Sequence, residues 1–272
     1  MKIYLGFSNG GSRDILIKAK APHGLISYFY IKEHKLKIDF TKNFKAVMLD
    51  SGAFSADSLN KPISIEEYAK FCKKYKDKFK TIISLDVIGD VKFNIKSADM
   101  SYKNFKYLKS QKINALPVFH QTEDFKWLDL YCKNYDYVGL GGVGNLGNTR
   151  WIGRWLTRVF ARYPKHKFHG FAITSPSLLL KFPFYSVDST SWTIGGRYGQ
   201  ILKLKDFGLK LNYLRVSEKK EEIKRTFLHS SNLLDKKGKK AGLLRNLHNA
   251  EVFVELEKLI TRVWEKRGIK YD

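Results

Sequence analysis

Three aspartates, Asp50, Asp86 and Asp188, each stand at the end of a short apolar run. Asp50 closes Ala46-Val47-Met48-Leu49 and opens a small-residue turn, Ser51-Gly52-Ala53; Asp86 closes Ile82-Ile83-Ser84-Leu85; Asp188 closes Phe184-Tyr185-Ser186-Val187. Two further runs end on hydrogen-bonding or bare positions: residues 116–119 lead into His120-Gln121, and residues 137–144 end in glycines that include Gly141 and Gly142. Two carboxylates facing one sugar carbon suit displacement at an anomeric centre, where one attacks or stabilises an oxocarbenium-like state and the other moves a proton on the leaving group. If the leaving group is a nucleobase, the pocket also needs an edge-reading carboxylate, an amide, backbone donors and an aromatic ring such as Trp192. Singly, each acid has a plainer use: Asp50 or Asp86 can cap a helix or order a turn, Asp188 can pair with Arg197, and His120 can be a satisfied, half-buried histidine. Their recurrence at strand ends favours a shared site.

The elements that must carry these residues alternate. Strand-like runs fall at 2–7, 46–49, 81–87, 115–119, 135–140, 167–173 and 184–187, several of them apolar nearly throughout, as parallel strands buried on both faces should be. Amphipathic helices are expected at 63–79, with Ser64 as cap and Glu67 reaching back, and at 101–111, 123–133 and 150–163. This alternation predicts an α/β fold, a (β/α)8 TIM-like barrel over residues 1–216, with residues 210–216 as a candidate eighth strand and chemistry at the C-terminal strand ends. Residues 217–272 read as a basic helical extension packed on the barrel: helices at 217–230 and 250–266, joined by 233–247 with its Asp235–Lys240 charge run. That run is either a phosphate-contacting loop or a solvated linker.

Lys and Arg number 50 against 26 Asp and Glu, a formal charge of +24, which sets aside a neutral metabolic enzyme as the default. A polyanion is the first explanation, since neutralising phosphates releases counterions and supplies affinity. Arg150, Arg154, Arg197, Lys236, Lys237, Lys239 and Lys240 are the candidate contacts. A bland Lys-rich composition is the competing reading, and no basic amphipathic helix marks a membrane surface. The chain shows neither a secretory signal nor a membrane span, which predicts a cytoplasmic protein. Cys72 and Cys132 read as inert buried thiols, and no metal site is expected: His166 and His169 lie too close together to share a metal with the acids. The glycine run lacks the Gly-Lys-Ser/Thr of a P-loop and the first-strand position of a dinucleotide fingerprint. It reads as a close backbone approach to a flat ligand.

Asp50-Ser51-Gly52-Ala53-Phe54-Ser55 resembles the Asp-Ser-Gly-Gly-Phe-Gln motif of tRNA-guanine transglycosylases, and the order Asp86, Gln121, Gly141-Gly142, Asp188 agrees with theirs. The variants here are more similar to the 7-deazapurine DNA transglycosylases of phages and bacterial genomic islands. The resemblance covers about residues 1–200. It implies a cofactor-independent DNA-guanine transglycosylase that replaces guanine in DNA with a 7-deazaguanine base, in the host cytoplasm if the chain is phage-encoded. Asp188 would be the nucleophile, Asp50 the acid/base, and Asp86 the reader of the amino/imino edge. Gln121 and the Gly141–Gly142 backbone would take the carbonyl side, with Phe54 as a stacking neighbour and His120 and Ser51 as further substrate-binding candidates. The cysteine-rich zinc site of the tRNA enzymes has no counterpart, which favours DNA over tRNA. Ala53 and Ser55, where the motif has Gly and Gln, depart from it and leave the recognised base open. The alternatives are the same exchange on tRNA, a nucleic-acid-binding barrel without catalysis, and a sugar- or phosphate-processing barrel.

Overall fold

The structure is a computed structural model that describes residues 1–87, 94–143, 149–205, 210–226, 233–234 and 239–271, and of residues 94–96 and 239 only the backbone. Nine parallel strands form one sheet: β1 (Lys2–Gly6), β2 (His23–Ser27), β3 (Ala46–Asp50), β4 (Thr81–Ile83), β5 (Ala115–Leu116), β6 (Val118–His120), β7 (Tyr137–Gly141), β8 (Lys167–Gly170) and β9 (Ser186–Ser189). Their spatial order is β5-β4-β3-β2-β1-β9-β8-β7-β6, so the two ends of the sheet are neighbours in sequence. Pro117, without an N–H for the ladder, divides what is one strand position into β5 and β6. The Ser84 N–H donates to the Leu116 carbonyl (2.9 Å) and the Gly139 N–H to the Pro117 carbonyl (2.8 Å), which closes the ring through the break. The result is a TIM-like barrel ringed by helices.

The strand that completes the ring is β2, which the sequence pattern did not reveal. Its apolar content is Leu25 and Ile26 alone, between His23-Gly24 and Ser27, too short a run to stand out. Residues 210–216 lie outside the barrel: β11 (Lys210–Arg215) pairs antiparallel with β10 (Gln200–Lys205). Their outer side builds a separate cluster of Ile201, Leu214, Val216, Ile223 and Leu233.

Both faces of the barrel strands are covered. Tyr4, Leu25, Met48, Ile83, Leu116 and Val118 fill the interior. Leu5, Ile26, Leu49, Phe119, Leu140 and Val187 point outward into the layer beneath the helices. This double burial is why the strands read as continuous apolar runs rather than as alternation.

The helices are α1 (Gly10–Lys18), α2 (Tyr28–Glu33), α3 (Ala53–Ser58), α4 (Ile65–Tyr75), α5 (Asn94–Ser110), α6 (Phe125–Asn134), α7 (Thr149–Arg162), α8 (Pro176–Leu179), α9 (Ile194–Tyr198), α10 (Lys220–Thr226) and α11 (Lys239–Lys266). Ser64 caps α4 by accepting the Glu67 N–H (3.2 Å), as its sequence predicts. The return half of the capping box is not made, because Glu67 pairs with Lys32 (2.5 Å) and Ser64 donates to Glu66. The buried Tyr68 hydroxyl donates to the Ile83 carbonyl (2.7 Å), tying α4 to the strand that leads to Asp86. Cys72 in α4 and Cys132 in α6 are free thiols whose pKa values burial pushes up to about 12, too high for a thiolate at neutral pH.

α11 extends N-terminally through much of the segment expected to be a linker. Its backbone passes so close to α9 that a side chain at Gly195 would collide with Arg245. Asn249 accepts from the Leu202 N–H (2.8 Å) and donates to the Gln200 carbonyl (3.0 Å); further along, Glu257 accepts from the Ile3 N–H (2.7 Å) and Thr261 bonds Met1. The helix therefore runs down the barrel wall from the side of the strand C-termini to the start of β1. Glu251 and Glu255 are exposed among its lysines, so its charge is mixed rather than a basic stripe. Among the described residues no helix is long and apolar enough to cross a membrane.

Candidate active site

Side chains alternate along a strand, so the interior residues Met48, Val118 and Ser186 put Asp50, His120 and Asp188, two positions on, on the same inner face at its C-terminal rim. On the ring between Asp188 and Asp50, the corresponding positions of β1 and β2 are Gly6, against which the Thr190 side chain packs, and Ser27, which is buried and caps α2 by accepting the Tyr30 N–H (3.4 Å).

Asp50 accepts the Gly52 N–H (2.9 Å) on one oxygen. Gly52 sits at φ +85°, and a Cβ there would lie 2.5 Å from that of Phe29, so only glycine makes this turn. Burial raises the Asp50 carboxyl to about 7, with the negative charges of Asp86 and Asp188 adding to the shift and the backbone hydrogen bonds resisting it. The three strand-end acids thus act on one another electrostatically.

Asp86 follows β4 and is held at both oxygens. His120 Nε2 lies 2.9 Å from Oδ2, and the buried Ser51 hydroxyl lies 3.5 Å from Oδ1. The other ring nitrogen of His120 is 2.9 Å from Glu123, which also accepts the His120 backbone N–H (3.1 Å). Burial works against charge on His120, but its hydrogen bonds to Asp86 and Glu123, together with their charges, raise its pKa to about 10.

The glycines of β7 have a packing reason beyond any ligand. A Cβ on Gly139 would meet the Phe171 ring at 2.6 Å, and one on Gly141 would meet the His120 ring at 3.0 Å. Gly142 takes φ +78° beneath the Gln121 backbone, and the Gly141 carbonyl already accepts the Gln121 N–H (3.1 Å). The Gln121 side chain is half-buried.

Asp188 is held from β8. Its Oδ1 accepts the N–H of Ala172 (3.0 Å), a residue in the left-handed region at φ +54°. Such a conformation in a residue other than glycine costs about 1 kcal/mol or more and clusters at functional sites. His169 Nε2 faces the same oxygen at 3.4 Å and is buried without another polar partner. His169 Nδ1 lies 2.6 Å from Ser186 Oγ, which also bonds the Tyr137 hydroxyl. Arg197 is exposed on α9 and is not the partner of Asp188.

Trp192 is fully buried and donates to the Gly6 carbonyl (2.9 Å), which makes it a core residue instead of the stacking ring its position suggested. Phe54 on α3, the other aromatic candidate, is 56% exposed. Sequence reasoning missed Glu123, His169, Ser186 and Tyr137. Inward alternation from Lys167 and Tyr137 could have flagged His169 and the glycines, whereas the Glu123 contact has no sequence signal beyond its spacing from His120.

Of the candidate cations, Arg150 and Arg154 are exposed at the start of α7, which follows the β7 end of the barrel mouth. With Thr149, Thr157, Ser177 and Lys181 they line a cleft of about 320 Å³ between α7 and α8. Trp151, 58% exposed, lies under the Arg154 guanidinium (5.4 Å). Lys240 is exposed near α9, Lys239 is placed by its backbone alone, and Lys236 and Lys237 lie outside the described residues.

No protein-family model and no curated protein matches this chain. Any functional reading therefore rests on the geometry of the site and on the resemblance of its motifs.

Proposed function

We propose that this chain is a DNA-guanine transglycosylase that exchanges guanine for a 7-deazaguanine base. The observation that carries the reading is the division of labour among carboxylates at one rim: Asp50 raised to about 7 by burial and by Asp86 and Asp188, opposite an Asp188 anchored by the Ala172 N–H. A carboxyl poised to hold or give up a proton near neutrality, beside a second carboxylate fixed by a backbone N–H, suits an acid/base and a nucleophile.

In the first half-reaction an Asp188 oxygen forms a bond to C1′ as the C1′–N9 bond breaks. The electron pair leaves with guanine, and neutral Asp50 gives it a proton. In the second, ionised Asp50 takes the proton from the incoming base, whose nitrogen attacks C1′ and expels Asp188. Two inversions give net retention. Ala172 and His169 stabilise the carboxylate when it is released, and Asp86 reads the donor edge of either base.

Incubation of the protein with labelled guanine and either duplex DNA or tRNA tests the reading. Label is expected in DNA. Incorporation into tRNA alone transfers the same chemistry to the alternative substrate, and incorporation into neither overturns the proposal. The α7–α8 cleft supplies a second measurement: Arg154→Ala combined with Lys181→Ala should weaken DNA binding about tenfold at 0.1 M salt and lower the slope of log K against log salt by about 1–2. Unchanged affinity and slope would place the phosphates elsewhere.

A further inference from the structure

We propose that His120 is a positioning residue: an imidazolium clamped between Glu123 and Asp86, it holds the Asp86 carboxylate as an oriented anion that accepts the adjacent N–H donors of a guanine-like base. The inference rests on the transglycosylase reading for its substrate class and goes beyond it in giving His120 a role other than contact with the base.

Both ring nitrogens are occupied, Nε2 by Asp86 and Nδ1 by Glu123, each at 2.9 Å. A neutral imidazole carries one N–H and can satisfy one carboxylate, so two carboxylate partners call for the doubly protonated ring. No ring nitrogen then remains to donate to a base. The ring cannot turn away. Glu123, with its side chain 3% exposed, also takes the His120 backbone N–H, and the missing Cβ of Gly141 leaves the slot that the ring edge fills.

The groups facing the ring among the described residues are Asp86 from the end of β4, Glu123 from its own turn and, from β7, the uncharged Gly141. Asp50 on β3 reaches the cluster through Asp86. Tyr131 on α6, its phenol pushed up first by burial and then by Glu123, stays neutral beside it. The cluster of Asp86, His120 and Glu123 thus sums to one negative charge, and that charge faces the pocket on Asp86, whose side chain is 14% exposed. A carboxylate has about four acceptor positions, and His120 and Ser51 use about two. Among the described residues nothing takes the others, and they suit a paired N–H edge such as the amino/imino edge of guanine, which a base lacking that edge cannot satisfy.

The test is His120→Gln, which keeps hydrogen-bonding atoms and removes the charge. For the wild-type protein the KM of free guanine in exchange should be flat from pH 5.5 to 9. In H120Q it should rise about tenfold at pH 8 and further as pH falls, because without the cation the repulsion between the two carboxylates is uncompensated and favours proton uptake. The kcat at saturating base should stay within about threefold, the mark of a lost binding term. An unchanged KM and pH profile would overturn the clamp, and so would a fall in kcat with KM retained, which would put His120 in the chemistry itself. If H120Q does not fold, Glu123→Gln serves. It leaves the His120–Asp86 pair with one carboxylate fewer, and loss of base affinity should then begin at a lower alkaline pH than in the wild type. An identical alkaline limb overturns the inference. Guanine binding by calorimetry separates the two readings: a wild-type protein that binds guanine without exchanging it loses the transglycosylase function while the pH dependence still tests the clamp. A protein that binds no purine loses both.

Discussion

Replacing Asp188 with Ala should abolish base exchange, by about four orders of magnitude or more, while DNA affinity stays within about twofold. The size follows from the role: without the attacking oxygen no glycosyl-enzyme forms, and no second carboxylate at the rim can substitute. Asp50 is largely neutral below about pH 7, and Asp86 is tied to His120 and Ser51 with its remaining acceptor positions assigned to the edge of the base and not to C1′. Binding is spared because Asp188 meets the Ala172 N–H and His169 inside the barrel and no cation of the rim. Asp188→Asn refines the test, since its amide oxygen can still accept the Ala172 N–H but cannot attack C1′. The measurements are incorporation of labelled guanine, mobility-shift affinity, and a denaturing gel for the covalent protein–DNA adduct. Full exchange by either variant would sink the mechanism.

Asp50→Asn is expected to slow exchange about 10²–10³-fold, the usual range for a general acid/base. Its pH behaviour is more diagnostic. With a carboxyl near 7, the wild-type protein needs Asp50 neutral to protonate the departing guanine and ionised to accept the proton of the incoming base. In double-displacement kinetics, kcat/KM for DNA should therefore fall above about pH 7, and kcat/KM for the free base should rise up to about pH 7. D50N should lose both limbs. Retention of both would assign the titration to another group.

The same shift has a consequence for stability. Asp50 titrates at its ordinary low value when unfolded and near 7 when folded, so between about pH 4 and 7 the folded state holds the extra proton and stability declines as pH rises. Above pH 7 the full cost, on the order of 4 kcal/mol, is in place. D50N removes it, and its thermal midpoint should exceed the wild type's at pH 8 and converge with it near pH 4. A midpoint unchanged at pH 8 would contradict the buried, charge-crowded environment assigned to Asp50.

Much of this site was legible before any fold was known because barrel strands advertise themselves locally. A parallel strand covered on both faces is largely apolar, so the runs 46–49 and 184–187 stand out, and the acid that closes each of them lies at the rim. Cap chemistry was equally local: Ser64 accepts the Glu67 N–H because both belong to one turn of chain. Where competing long-range partners exist, as for Glu67 with Lys32, the local rule failed.

The amino-acid sequence by itself determined the barrel class, the strand-end aspartates and the excess of positive charge, since each follows from residue type and short-range period. Only the tertiary structure decided that His23–Ser27 completes the ring, that Trp192 belongs to the core, and that Gly139 and Gly141 make room for Phe171 and His120. It also decided which partner each acid has: Asp86 meets a histidine 34 residues away, and Asp188 meets a backbone N–H 16 residues away. The physical reason is that hydrophobic periodicity records which face of a strand is buried, whereas these pairings depend on strand order and register around the closed ring, which no local pattern encodes.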